Sequence, residues 1–437
     1  MSPGFVGAAG IGIMCALLFL DVPVWIAMGS VAFVGFGLLC GFPSALKMVG
    51  LLPASTISDY TISVFPLFLL MGEFADISGL MKDAYRSANT WLGNLPGGLA
   101  MASIVGAGAF SAVSGSSMSC AAIMGRVALP HLLEYKYDKQ LSVGALCAGG
   151  TLGNLIPPGI LIVFYCLITN TSIGALFAAC FIPGIVLTLM YCIQIYIQCK
   201  RHPVLGPRAG RTTWRQKLLA IKDGAALIIV LGLVMGGIWG GFFTPSEAAA
   251  AGTVFVFIYA IFRRAVNGQN LLQSFKNTLG TTGMAFAVMV GVRCFNSFIA
   301  VTGLNDMLCN WVTGLHVTPV VVVIIIMIIY SVLGSAMDTL SMLLFTVPIF
   351  AGMLSALKVD LIWFGVLVIV QMEFSNISPP VGMNLFVIGG MVKDKGISMG
   401  DVFRGVLPFC LTMLVFNALM IAFPQIVMWL PNLIMKR

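Results

Sequence analysis

The chain has 437 residues, of which 59% are hydrophobic and 9% charged, and its mean hydropathy is +1.03. A soluble chain of this length needs far more charge to cover its surface, and the apolar runs lack the period-two alternation of barrel strands. Soluble folds and transmembrane β-barrels are therefore excluded. The net charge of +8 could suit nucleic acid, but its distribution along the chain points to membrane topology instead.

A helix needs roughly 20 mostly apolar residues to cross a bilayer. By that measure the sequence predicts spans at 4–20, 22–41, 60–75, 141–167 and 173–198. After a basic polar segment at 199–222, further spans are predicted at 223–240, 248–262, 280–301, 361–389 and 403–430. The apolar regions 95–130 and 317–350 are interrupted by Gly/Ser-rich turns and read as re-entrant hairpins. No basic residue precedes the first run, so it is expected to be a retained span rather than a cleaved signal. With the N-terminus outside, eighteen of the 23 Lys and Arg fall on the cytoplasmic face. Four (Lys47, Lys358, Lys436, Arg437) lie outside, and Arg293 sits within a span. This asymmetry is expected to orient the chain with both termini outside, opposite the cytoplasmic face. The fold class expected is an all-α polytopic membrane protein, a single unit over 1–437, embedded in lipid and without a nucleic-acid partner.

Other chemistries find little support. There is no Cys-x-x-Cys, and Cys15, Cys40, Cys120, Cys166 and Cys410 lie inside apolar runs as small core residues. His131, His202 and His316 are too scattered for a zinc site or a His-based triad. A phosphate-binding Gly-x-x-x-x-Gly-Lys-(Ser/Thr) loop is absent, which disfavours an ATP-driven pump. No nucleophile–base pair at membrane depth suggests an intramembrane enzyme.

The second half echoes the first. Gly115-Ser116-Ser117-Met118-Ser119 corresponds to Gly334-Ser335-Ala336-Met337-Asp338, with Pro130 and Pro348 following at similar distances. Asn154-Leu155-Ile156-Pro157-Pro158 matches Asn376-Ile377-Ser378-Pro379-Pro380, and Ser172-Ile173-Gly174 matches Ser398-Met399-Gly400. The predicted topology makes these units, 60–198 and 278–432, inverted repeats, an architecture of secondary transporters whose substrate and ions bind near the bilayer midplane. A proline pair in mid-span frees backbone carbonyls, and unwound backbone inside a membrane is tolerated only where it lines a cavity or binds something. Asn154, Asn376, Ser375 and Ser378 beside those breaks offer neutral oxygens suited to a hard cation such as Na⁺. The tip hydroxyls Ser116, Ser117 and Ser335 and nearby helix N-termini suit an organic anion. Asp338 either serves the site or caps the hairpin helix, and Glu373, just before the second break, is a candidate for ion or substrate coupling. Arg293, with Asn296, either neutralises an anionic substrate or is held structurally by snorkelling or a carboxylate. Glu73 and Asp76 are expected to end a span at the interface.

These motifs resemble the large membrane subunit of tripartite ATP-independent periplasmic (TRAP) transporters, the DctM-like family. The resemblance runs through Asp21-Val22-Pro23 (with Asp21 in the usual Gly place), Phe65-Pro66-Leu67-Phe68, Ser114-Gly115-Ser116-Ser117, Pro157-Pro158 and Ser172-Ile173-Gly174-Ala175-Leu176-Phe177. It continues through Gly334 to Asp338 and Ser378-Pro379-Pro380-Val381-Gly382-Met383-Asn384-Leu385-Phe386, with Ser378 in place of Thr. It implies a sodium-coupled, elevator-type importer of a small organic anion, a carboxylate or sulfonate. It also implies two partners: a separate small four-helix membrane subunit and a periplasmic substrate-binding protein. A stand-alone ion-coupled carrier without a binding protein is the alternative. The sodium sites implied by the resemblance fall on Gly115, Ser116, Ser117, Asn154, Pro157, Gly334, Asp338, Asn376, Ser378 and Pro379. Gly159 stands where many relatives have Ser, which removes one hydroxyl. Arg293 and Asn296 interrupt a span that is usually small and apolar, and are expected to tune selectivity toward an anion such as a sulfonate.

Overall fold

The computed structural model describes residues 2–435 except 21, 209, 211, 315, 316, 335 and 336. Of the residues named above, Asp21, His316, Ser335, Ala336, Lys436 and Arg437 therefore lie outside the described set. The first helices are α1 (Pro3–Phe19), α2 (Val24–Cys40), α3 (Phe42–Ile57), α4 (Val64–Ser78) and α5 (Leu80–Leu92). A helical hairpin follows, α6 (Gly98–Ser114) and α7 (Ser117–Glu134), then the interrupted pair α8 (Lys139–Leu155) and α9 (Ile160–Thr169), and α10 (Ile173–Arg201). Next come α11 (Trp214–Trp239), α12 (Pro245–Phe262), α13 (Gly268–Thr302) and α14 (Leu304–Gly314). A second hairpin, α15 (Pro319–Leu333) and α16 (Thr339–Ala356), precedes a second interrupted pair, α17 (Leu361–Ile377) and α18 (Met383–Val392). The chain closes with α19 (Met399–Ala422) and α20 (Pro424–Met435).

The all-helical, multi-pass reading holds. Among the described residues, eight helical stretches are long and apolar enough to cross a membrane. Their outer faces carry exposed apolar side chains such as Leu189, Ile193, Ile228, Ile258 and Leu411, which in water would be a liability and in lipid are a solvent-matched surface. Three helices fall outside the predicted spans: α5 and α14 are short and amphipathic, and α3 carries Lys47 and an internal proline. The predicted span 403–430 is divided at Phe423 into α19 and the start of α20. Helix α13 begins at Gly268, before the expected 280, and its 35 residues reach about 52 Å. That exceeds the roughly 30 Å hydrocarbon core, so its polar first turns (Asn270, Gln273, Lys276, Asn277) extend past it. The basic segment is helical only at its two ends, because α10 runs to Arg201 and α11 starts at Trp214 with a Thr213–Gln216 capping box.

Packing divides the helices into two groups. Helix α13 lies along α2, α3 and α4, while α12 lies along α4 and α11 along α5. In the other group α8 is central, packed by α6, α7, α17 and α19. All of α8 from Leu141 to Leu155 is buried, and its composition explains why: Gly, Ala, Ser and Cys dominate, so neighbouring backbones can approach closely. A Cβ on Gly144 would sit 2.1 Å from the Gly405 carbonyl oxygen, and one on Gly405 would sit 2.1 Å from that of Gln140. The α8–α19 crossing is therefore built on glycine from both sides.

Candidate functional site

Each interruption follows from its proline pair, which lacks the N–H groups needed to continue the helix. Both Pro157–Pro158 and Pro379–Pro380 are cis. Beyond each break the next helix starts on a glycine without a side-chain cap, Gly159 for α9 and Gly382 for α18. A Cβ on either would press on the carbonyl oxygen of the asparagine before the break, 2.2 Å from Asn154 and 2.6 Å from Asn376. The absent hydroxyl at Gly159 is thus a requirement of the close turn. With glycine at both N-caps, the first turns of α9 and α18 have no side-chain acceptor, and in α9 the Ile160 N–H is taken instead by the Gly115 carbonyl.

Each hairpin tip docks on the break of its own half. Gly115 adopts a left-handed φ of +60° and accepts a hydrogen bond from Ile160 N–H at 3.1 Å, tying the α6–α7 tip to the start of α9. Gly334 at the end of α15 lies so close to α17 that a Cβ would stand 2.0 Å from Ser375 Oγ. Asp338 caps α16, accepting from Ser341 N–H at 3.0 Å, so the capping alternative describes its observed role. Ser116 likewise caps α7, accepting from Ser119 N–H at 3.5 Å. Ser378 donates to the Ser375 carbonyl at 3.5 Å, Pro157 is buried, and Pro379 is half-buried.

The two halves meet at Glu373, which is 0% exposed. Its Oε1 accepts from Ser117 Oγ at 2.7 Å and from Asn154 Nδ2 at 2.8 Å, and its Oε2 accepts from Asn376 Nδ2 at 3.2 Å. Asn154 Nδ2 also donates to Ser117 Oγ at 2.9 Å. Three predicted site residues, from the first tip and from both breaks, thus converge on one carboxylate. A neighbouring buried chain links the second hairpin to the core: Gln371 Nε2 donates to Ser331 Oγ, and Asn417 Nδ2 donates to Gln371 Oε1.

Beside the first tip is a cavity of about 140 Å³, lined by Ser114, Ser116 and Ser119 on one side and Gly72, Glu73, Asp76 and Thr281 on the other. Ser114 Oγ is buried there with no hydrogen-bond partner among the described residues. Glu73 and Asp76 therefore face the tip across a gap, with Glu73 held by Asn277 Nδ2 at 3.0 Å. Neither Ser114 nor the two carboxylates stood among the predicted site residues. The run of hydroxyls at 114, 116, 117 and 119 was the available signal.

Arg293 is not in this cluster. Its guanidinium is ion-paired with Asp59 at 2.7 Å, at the junction before α4, and both side chains are about one-third exposed. The Arg293 hydrogen bond holds the Asp59 carboxyl below its ordinary range. Arg293 thus has a carboxylate partner, the kind of contact its structural alternative expects. Asn296, three residues along α13, is half-buried on the same helix and likewise stands apart from the Glu373 cluster.

The oxygen-rich, largely neutral donor set of hydroxyls, amides and one carboxylate suits a hard monovalent cation, while the uncapped N-termini of α9 and α18 suit an anion. Residues 11–426 match the family model described as "Tripartite ATP-independent periplasmic transporter, DctM component". The C4-dicarboxylate TRAP transporter large permease protein DctM of Pseudomonas aeruginosa is 31% identical over 395 residues, covering 89% of this chain and 90% of that one. The sialic acid TRAP transporter large permease protein SiaM of Vibrio cholerae is 29% identical, covering 95% of this chain and 96% of its own length. The crystal structure of the Alcanivorax borkumensis YdaH transporter shares the fold at a TM-score of 0.65 and 14% identity, covering 87% of this chain and 89% of that one. With its family match running nearly from end to end, the chain belongs to the DctM family, the large permease component of tripartite ATP-independent periplasmic transporters.

Proposed function

We propose that this subunit imports a small organic anion, a carboxylate or sulfonate, together with Na⁺, by an elevator movement of one helix group against the other. In this reading the hairpins, the interrupted helices α8–α9 and α17–α18, and α10 and α19 form the moving unit. Helices α1–α4 and α11–α13 form the scaffold, on which a separate small membrane subunit sits. A periplasmic binding protein delivers the substrate, and both chain termini lie on the periplasmic side of the inner membrane. The relatives named for C4-dicarboxylate and sialic acid, both carboxylates, support this chemical class.

One observation supports this reading above others. The polar groups of two similar half-chain units converge on one buried cluster, while the helix N-terminus beyond each break has no side-chain cap. A cation among the oxygens screens the cluster, and the anion's carboxylate or sulfonate takes the N–H groups at the α9 and α18 N-termini. Interrupted helices are the device that brings both charges to membrane depth without a full buried ion pair.

The test is uptake into proteoliposomes containing this chain and its small membrane subunit. A panel of C4-dicarboxylates, sialic acid and small sulfonates would be presented on binding protein, with an inward Na⁺ gradient or with choline in its place. Uptake that requires both the gradient and the binding protein is expected. Equal uptake in choline would refute sodium coupling, and uptake of free substrate by this chain alone would favour the stand-alone carrier.

A further inference from the structure

We propose that Glu373 is the anionic ligand of the co-transported cation, with Ser117, Asn154 and Asn376 as its neutral oxygen partners. This rests on the sodium-coupled reading and goes beyond it by assigning the charge that the ion neutralises.

Three features of the cluster carry the inference. First, the carboxylate is fully buried, and none of the ion pairs among the described residues (His131–Glu134, Arg263–Asp83, Arg293–Asp59) includes it. A carboxylate at membrane depth without a cationic partner is costly and marks a functional position. Second, its present partners are donors that can become ligands. Ser117 Oγ, Asn154 Nδ2 and Asn376 Nδ2 point hydrogens at the carboxylate. Rotating the hydroxyl and turning the two amides over turns three oxygens toward the carboxylate in place of three hydrogens. Third, the four groups come from α7, α8 and α17, so an ion held among them ties the first hairpin tip to both breaks at once. A unit carrying a bare carboxylate is poorly suited to cross the bilayer, and the bound cation removes that charge.

The purely structural alternative is that Glu373 only pins the two halves together. Gln at this position keeps the size and can still accept from Ser117 and Asn154 through its oxygen, but it carries no charge, so Glu373→Gln separates the two roles. The purified full-length chain would be assayed for radioactive sodium binding and for thermal melting in NaCl against choline chloride. For the unaltered protein, NaCl is expected to raise the melting temperature. For Glu373→Gln, melting in choline should be unchanged or higher, the NaCl-dependent rise should vanish, and sodium affinity should fall at least tenfold. Glu373→Asp should recover part of the NaCl response. If Glu373→Gln melts lower in both salts yet binds sodium within twofold of the unaltered protein, Glu373 is only a pin and the inference is overturned. If the unaltered protein neither binds sodium nor responds to NaCl, the sodium-coupled reading falls and the inference falls with it.

Discussion

Gly334→Ala is the sharpest test of how the second hairpin is held. The added methyl would stand 2.0 Å from Ser375 Oγ and 2.3 Å from Ser375 Cβ. The hydroxyl can rotate away, but the Cβ is fixed to the α17 backbone. Ordinary carbon–carbon contact is about 3.5–4.0 Å, so the hairpin tip must retreat from α17 by about 1.4 Å. Overpacking of this kind costs about 1–3 kcal/mol, equivalent to a roughly 5–150-fold shift in the population of the docked tip. Gly334 has an ordinary helical backbone, so the whole effect is attributable to this contact. In proteoliposome uptake assays the variant should therefore fall to a small fraction of the parental rate, with a lowered melting temperature in detergent. Adding Ser375→Gly removes both clashing atoms and should restore much of the loss. Full uptake by Gly334→Ala alone, or no rescue by the second change, would refute the tight docking of this tip on the second break.

Three further outcomes follow from the same geometry. Gly115→Ala forces a side chain into a left-handed conformation at about 1–2 kcal/mol and drives its methyl to 2.7 Å from the Pro158 carbonyl oxygen, so uptake and melting temperature should both drop. Asn154→Ala strips a donor from both Ser117 and Glu373 at about 1–3 kcal/mol. Asn154→Asp, which puts a second carboxylate beside Glu373, should reduce uptake further than the alanine, as measured at saturating substrate. Arg293→Gln and Asp59→Asn should show a stability coupling of about 1 kcal/mol in a double-mutant cycle, with substrate selectivity unchanged, because the guanidinium is already paired. Since Arg293 holds the Asp59 carboxyl below its ordinary range, the pair's contribution is present above about pH 4, the unfolded value, and is lost as pH falls through the folded one. The melting gap between Asp59→Asn and the parent should close in that acid window.

Much of this was legible in the residues, for reasons that differ by element. The proline pairs announce their breaks because proline cannot donate, wherever it sits. Hairpin tips announce themselves through Gly and Ser in otherwise apolar runs, although the observed hairpins extend to Glu134 and Ala356, past the residues expected. Helices α5 and α14 escaped because their signal is a one-sided apolar stripe rather than an apolar run, and a search for spans does not register it. Arg293 escaped for another reason: a lone basic residue in a span announces that a partner exists, but not which one. Asp59 is 234 positions away along the chain, and only the packing of α13 beside the start of α4 brings them together. Glu373 drew notice as a carboxylate in a span, but its link to the first half through Ser117 and Asn154 required the fold.

The contrast between the two kinds of contact in this molecule bears on how it would move. Inside the proposed moving unit, joins are made backbone to backbone: Gly153 against Ser116 and Ser117, Gly144 against Gly405, Gly115 against Pro158. Such joins leave no side chains free to repack, so α8, α19 and the first tip can shift only together. The boundary with the scaffold mixes two kinds of contact: Gly72 of α4 lies so close to the first tip that a Cβ would stand 3.0 Å from the Ser114 carbonyl oxygen, and beside it aromatic rings meet. Phe65 meets Phe164 at 4.8 Å and Phe68 meets Phe177 at 6.1 Å between ring centroids, while the serine-lined cavity keeps Glu73 and Asp76 apart from the tip. Ring faces offer no directional bonds that must break before they slide, and the cavity removes polar links that would latch the two groups. If the movement is the one proposed, the glycine-tight joins keep this group together, and the contacts to be exchanged at its edge are the rings and the single Gly72–Ser114 approach. In that case the ion cluster at Glu373, lying wholly within the rigid group, would travel intact rather than being rebuilt on each side.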